Sequence, residues 1–213
     1  MTRTIRLAAG AAALALICSI SLFAQAGKRT TVADANTITE AEIAALPNMN
    51  AARAKALVAA RPFLTAGALD TFLAGQGLTA EQRAALYAKA FVQINLNTAT
   101  REEILIVPGA GNRMAREFAE YRPWKTMAQF HKEIGKYVKP EEVARLEQYV
   151  FIPINLNTAT DEDMMTIPGV GARMVREFKE YRPWKTAEQF RKEIGKYVNA
   201  KEVARLERYV IFE

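Results

Sequence analysis

The sequence predicts an all-α protein built from three tandem repeats of about sixty residues, each of four short helices. Three observations predict it. Residues 94–151 and 154–211 are identical at 40 of 58 positions without a gap, which is a direct duplication. A fainter copy lies 61 residues upstream: Asn36-Thr37-Ile38-Thr39 answers Asn97-Thr98-Ala99-Thr100, Leu46-Pro47-Asn48-Met49-Asn50 answers Val107-Pro108-Gly109-Ala110-Gly111, and Ala60-Arg61-Pro62-Phe63 answers Tyr121-Arg122-Pro123-Trp124. Finally, helix-start signals alternate with proline and glycine stops, and no window alternates with period two long enough for a convincing strand. The expected organisation is a leader over residues 1–26, a degenerate first bead over 27–93, and two closely similar beads over 94–153 and 154–213.

The leader reads as a secretory signal peptide. Arg3 and Arg6 precede an uncharged run from Leu7 to Phe23, and Ala24-Gln25-Ala26 is a small-x-small cleavage pattern. The run is slightly short for a membrane span and no basic stop-transfer cluster follows it. An exported protein, periplasmic or extracellular, with no membrane span after cleavage is therefore expected. Cys18 falls inside this segment, so the mature chain has no cysteine and depends on packing alone.

Within the second bead the elements follow in order. Thr100-x-x-Glu103 is a capping box that opens the first helix, with Ile104 and Val107 facing inward and Pro108 ending it. The second helix starts near Asn112 and buries Met114, Phe118 and Tyr121, leaving Arg113, Arg116, Glu117 and Glu120 as the solvent face. Pro123 stops it, and Trp124 packs beneath the turn. Thr126-x-x-Gln129 caps the third helix, which buries Phe130 and Ile134; Gly135-Lys136-Tyr137-Val138 turns the chain again. Pro140 at a first-turn position begins the fourth, with Val143, Leu146 and Val150 inside. In the third bead Asn199-x-x-Glu202 replaces the proline start, and in the first Thr39-x-x-Glu42 and Thr79-x-x-Gln82 supply the caps. Sixty residues make a marginal core, so the beads are expected to lean on one another in a compact row.

The chemistry-bearing stretch is the turn between the first two helices, Pro108-Gly109-Ala110-Gly111 and Pro168-Gly169-Val170-Gly171. Two glycines two apart permit unusual torsions and leave no Cβ to block an approaching partner. The amides of Gly109, Ala110 and Gly111, and of Gly169, Val170 and Gly171, stand where N–H groups lack intrahelical acceptors and the helix dipole is positive, a ready anion site. Arg113, Arg116, Arg173 and Arg176, one turn on, reach neighbouring phosphates, and Lys136 and Lys196 in the second turn of each bead complete the candidate set. Backbone amides read no base, so such binding is sequence-independent.

These residues resemble the helix-hairpin-helix motif, in the ComEA-type version that opens with Ile-Asn-x-Asn-Thr-Ala-Thr, here at Ile94 and Ile154. The resemblance implies two successive helix-hairpin-helix units per bead and non-specific binding of double-stranded DNA across the minor groove, as in the competence DNA receptors. It also implies that some members bind no DNA, and that in some families such turns hold a monovalent cation through backbone carbonyls. This chain departs from the pattern in two places: the second hairpin of each bead has one glycine, Gly135 or Gly195, and the first bead has Asn48 and Asn50 for both glycines. An asparagine side chain crowds a phosphate, so the first bead is expected to be a structural cap or a partner-binding surface.

Charge does not decide the partner. Without Arg3 and Arg6 the chain has 27 basic and 23 acidic residues, net +4, distributed as +2, +1 and +1 over the three beads, despite a pI of 9.5. That is no basic stripe unless the charges segregate by face. The alternative expectation is an exported protein-interaction module with no nucleic-acid role. Catalysis is not expected: His131, the only histidine, is Arg191 in the third bead, Glu102, Glu103, Asp161 and Asp163 sit where they cap helices, and no thiolate or cofactor site is visible.

Overall fold

The computed structural model describes residues 31–213; the expected signal peptide lies outside the described residues. Bead 1 runs β1 (Ala33–Asp34), α1 (Glu40–Ala44), α2 (Ala51–Ala60), α3 (Ala66–Gly75), α4 (Ala80–Tyr87) and β2 (Ala90–Phe91). Bead 2 repeats the order as β3 (Ile94–Asn95), α5 (Arg101–Ile106), α6 (Asn112–Glu120), α7 (Met127–Ile134), α8 (Pro140–Glu147) and β4 (Val150–Phe151). Bead 3 follows as β5 (Ile154–Asn155), α9 (Asp161–Met165), α10 (Ala172–Glu180), α11 (Ala187–Ile194), α12 (Ala200–Glu207) and β6 (Val210–Ile211). The fold is all-α, in three four-helix repeats.

Short strands that the sequence does not announce add to the helices without changing the class. Each bead closes on itself through a two-residue parallel ladder between its first and last segments: Ala33 with Ala90, Ile94 with Val150, and Ile154 with Val210. Two residues are too few to show period-two patterning, so the sequence gives no sign of them.

The caps form as the side chains dictate. Thr39, Thr79, Thr100 and Thr160 make reciprocal boxes with Glu42, Gln82, Glu103 and Asp163. Thr65, Thr126, Thr186 and Asn199 accept from the third amide of their helices, and Pro140 occupies the first turn of α8. Each such cap contributes about 1 kcal/mol, which matters for helices this short.

The most conspicuous repeated residues hold the frame. Asn97 accepts from the Trp124 amide at 2.6 Å and donates to the Trp124 carbonyl at 2.9 Å; Asn36 does the same for Phe63, and Asn157 for Trp184. Arg122 donates to the carbonyls of Leu96 and Ala99, and Arg182 to those of Leu156 and Ala159. Trp124 is buried against Tyr121 and Phe130, its indole N–H donating to Phe118 O at 2.8 Å. The Asn-Thr-Ala-Thr and Arg-Pro-Trp stretches are thus two halves of one brace.

Beads 1 and 2 share a continuous hydrophobic core from Val32 to Val150, and bead 3 has its own from Phe151 to Val210. They do not form a simple row, because bead 3 also returns onto bead 1. Tyr209 donates to Asp34 at 3.3 Å, and Arg205 is buried at this contact, its side chain 3% exposed where its counterpart Arg145 is 32% exposed. Burial pushes the Asp34 carboxyl above its usual range, against the pull of Asn36, Arg205, Arg208 and Tyr209.

Candidate nucleic-acid interface

The two glycines of each turn have different jobs. Gly109 and Gly169 sit at φ +76° and +78°, a left-handed conformation that glycine adopts without strain. A Cβ on Gly109 would stand 2.7 Å from Nη2 of Arg145, and one on Gly169 would stand 3.2 Å from Nη2 of Arg205 and 3.3 Å from Cγ2 of Thr37 in bead 1. A guanidinium therefore lies behind each turn, paired with Glu142 or Glu202 at 2.6 Å. Gly111 and Gly171 are ordinary in torsion, at φ −87° and −120°, and serve as N-caps of α6 and α10 without a side-chain cap. A Cβ on either would meet nothing within 4 Å. The heads of α6 and α10 are open.

The residues between the glycines depart from expectation. Ala110 and Val170 are buried, and their amides donate to Val107 O at 2.9 Å and Ile167 O at 3.0 Å. Those amides are spent in the turn, so Gly111 and Gly171, not Ala110 and Val170, stand at the open helix heads. Bead 1 differs again. Asn48 takes the left-handed position at φ 62°, its carbonyl accepts from Arg53 Nη1 at 2.7 Å, and Asn50 Oδ1 caps α2 by accepting from Arg53 N at 2.9 Å. The place an anion would take is filled by the chain's own oxygen.

The cations divide into exposed and tied. Arg116 and Arg176 are 70% and 71% exposed although each reaches its neighbouring carboxylate, Glu117 at 3.0 Å or Glu177 at 4.0 Å, and Arg113 and Arg173 are exposed on the same turns of α6 and α10. Arg113 also lies over the Tyr137 ring, 4.8 Å from its centroid. Lys136 and Lys196 are not free cations: each pairs with Glu133 or Glu193 and sits over the ring of Tyr121 or Tyr181. That pairing holds the Glu133 carboxyl below its usual range and Lys136 above its own. These lysines brace the second hairpin.

Glu117, expected on the solvent face, is buried at 3% exposure, as is Glu177 at 7%. Desolvation would raise the Glu117 carboxyl, but hydrogen bonds from Arg116 and Tyr137 bring it below the ordinary range. Tyr137 in turn shares a 2.8 Å hydroxyl contact with Tyr121, and bead 3 repeats the pair as Tyr181 and Tyr197 at 2.9 Å. The tyrosines are frame, not platforms for stacked bases. His131 bonds Glu147 at 2.9 Å, the place where Arg191 takes Glu207 at 2.6 Å, so it joins the third and fourth helices of its bead.

No family model matches the chain, and no solved structure matches it. Among curated proteins it is similar to the endonuclease/exonuclease/phosphatase family domain-containing protein 1 of Xenopus laevis, at 26% identity over 128 residues, covering 42% of this chain and 21% of that protein. The chain therefore matches about a fifth of its relative's length. No helix among the described residues is long and apolar enough to cross a membrane.

Proposed function

We propose that the protein is a ComEA-like helix-hairpin-helix protein that binds double-stranded DNA without sequence preference, outside the inner membrane, through the hairpins of beads 2 and 3. One observation carries the reading: of the three equivalent hairpins, the two with Gly-x-Gly leave the head of the second helix uncapped and sterically open, while the third fills that place with Asn50. An open helix head with exposed arginines one turn on suits a phosphate.

The protein is non-enzymatic in this reading. Its helix-start carboxylates Glu103 and Asp163 are occupied in capping boxes, and His131 is occupied by Glu147. The likeness to a protein named for a nuclease and phosphatase family is read as a shared segment rather than a shared activity, since it covers 21% of that protein. A second reading, an interaction module without nucleic acid, draws on the closeness of Thr37, whose Cγ2 would stand 3.3 Å from a Cβ on Gly169, so that this turn lies beside another bead.

The test is Gly111→Glu combined with Gly171→Glu. Both positions accept a side chain without strain, and each carboxylate would stand where the phosphate belongs. Loss of a helix-head contact of about 1 kcal/mol and a similar repulsion at each hairpin predict weakening of about thirtyfold per hairpin on any duplex sequence, approaching about a thousandfold for the two together if they add. A folded double variant that binds like the parent would remove the hairpins as the site.

A further inference from the structure

Beads 2 and 3 differ at 18 of 58 matched positions, and two of the differences meet at the hairpin. In bead 2, Arg101 is the first residue of α5, and its Nη2 donates to Oδ1 of Asn112, the first residue of α6, at 2.6 Å. The bridge carries a full positive charge from the head of one helix to the open head of the next. Its hydrogen-bond partner is neutral, so the guanidinium keeps its charge at the bridge, with Glu102, the next residue of α5, as its electrostatic neighbour. In bead 3 both ends are replaced, by Asp161 and Ala172. Asp161 instead accepts from Lys179 at 2.8 Å, and an open groove of about 400 Å³ runs between α9 and α10, lined by Asp161, Met165, Ala172, Val175, Arg176 and Lys179.

We infer that the two hairpins are unequal: Arg101 is a further phosphate-binding residue, which makes bead 2 the primary contact with the DNA backbone and bead 3 the secondary one. This rests on the proposed DNA-binding function and deepens it. Around the head of α6 stand Arg101, Arg113 and Arg116. Around that of α10 stand Arg173 and Arg176, with Lys179 neutralised by Asp161. At the head of α9 the Asp161 carboxylate and the Lys179 ammonium offset each other, so bead 3 has no counterpart to the positive charge that Arg101 presents to a phosphate within the ~10 Å screening length at 0.1 M salt. The change from arginine to aspartate therefore removes one attracting charge and ties up another. Neither residue reads a base, so the inequality concerns strength and salt dependence, not sequence.

The experiment measures anisotropy of a labelled random duplex at about 50 mM salt and upward, with parent, Arg101→Asp, Asp161→Arg, and Lys55→Asp as a control. Lys55 is exposed in bead 1, whose hairpin is self-capped, so this control matches the net-charge change of Arg101→Asp away from the site. Arg101→Asp is expected to weaken binding about three- to fivefold more than the control. Its salt slope should be shallower by about 1, while Asp161→Arg tightens binding by a similar factor. Circular dichroism verifies folding, and Arg101→Gln, expected to show half the effect, replaces the aspartate if that variant unfolds. Equal losses for Arg101→Asp and Lys55→Asp, or no gain from Asp161→Arg, overturn the inequality while leaving hairpin binding standing. A parent without affinity removes the DNA reading itself.

Discussion

Asn97→Ala separates frame from function. The side chain meets both polar groups of the Trp124 peptide, accepting from its N–H at 2.6 Å and donating to its C=O at 2.9 Å. Trp124 is 1% exposed, so truncation strands a buried donor and a buried acceptor. At about 1–3 kcal/mol for each unsatisfied group, discounted because Asn97 itself is only half-buried and water can reach part of the gap, the loss should be about 2–4 kcal/mol. That is a large share of the stability of a domain this size. Urea unfolding followed by far-UV circular dichroism reads the loss as a lower midpoint, with Asn97→Asp as a partial variant that keeps an acceptor and loses the donor. Because this residue holds the frame and touches no ligand in our account, the folded fraction should bind duplex DNA like the parent at low temperature. A loss under about 0.5 kcal/mol would refute the brace, and a folded variant without DNA affinity would refute its purely structural role.

Other expectations follow from the same geometry. Gly109→Ala forces a left-handed alanine against Arg145 and should cost about 1–2 kcal/mol in thermal or urea unfolding, whereas Gly111→Ala should cost clearly less because its space is open. Glu117 is held below its ordinary carboxylate range, so its contribution is present above the unfolded pKa and lost as pH falls through the folded value. Glu117→Gln should accordingly flatten the acid limb of a stability-against-pH curve, read by urea midpoints. Asn48→Gly with Asn50→Gly should open the head of α2 and strengthen duplex binding, read by anisotropy, because Asn50 is the oxygen that occupies it.

Much of the frame is legible in the sequence because it is local. Capping boxes, the proline start of α8 and the glycine turns are decided by residues within four positions of each other, and these expectations match the structure. What is not legible is set at long range. The parallel ladders join segments 56 or 57 residues apart and are two residues long, with no periodic signature. The return of bead 3 onto bead 1 depends on Asp34 meeting Tyr209, a pair 175 residues apart. At the site, sequence spacing locates the open heads of α6 and α10 but not the burial of Ala110 and Val170, whose small apolar side chains plug the core beneath the turn. Nor does it give the pairing of Lys136 with Glu133, or the guanidinium of Arg145 behind Gly109. The signal for Arg101 was present: it is Asp161 in an otherwise close duplicate, a charge reversal beside the turn.

The central claim is that phosphates, not bases, are held by two hairpins. A salt titration of the unaltered protein on several unrelated random duplexes tests it most directly. Two open helix heads and a few exposed arginines neutralise about 2 to 4 phosphates, so log K should fall with log salt at a slope of about −2 to −4, the same for every duplex. No binding near 50 mM salt, or affinities that depend on duplex sequence at equal salt, would contradict the account.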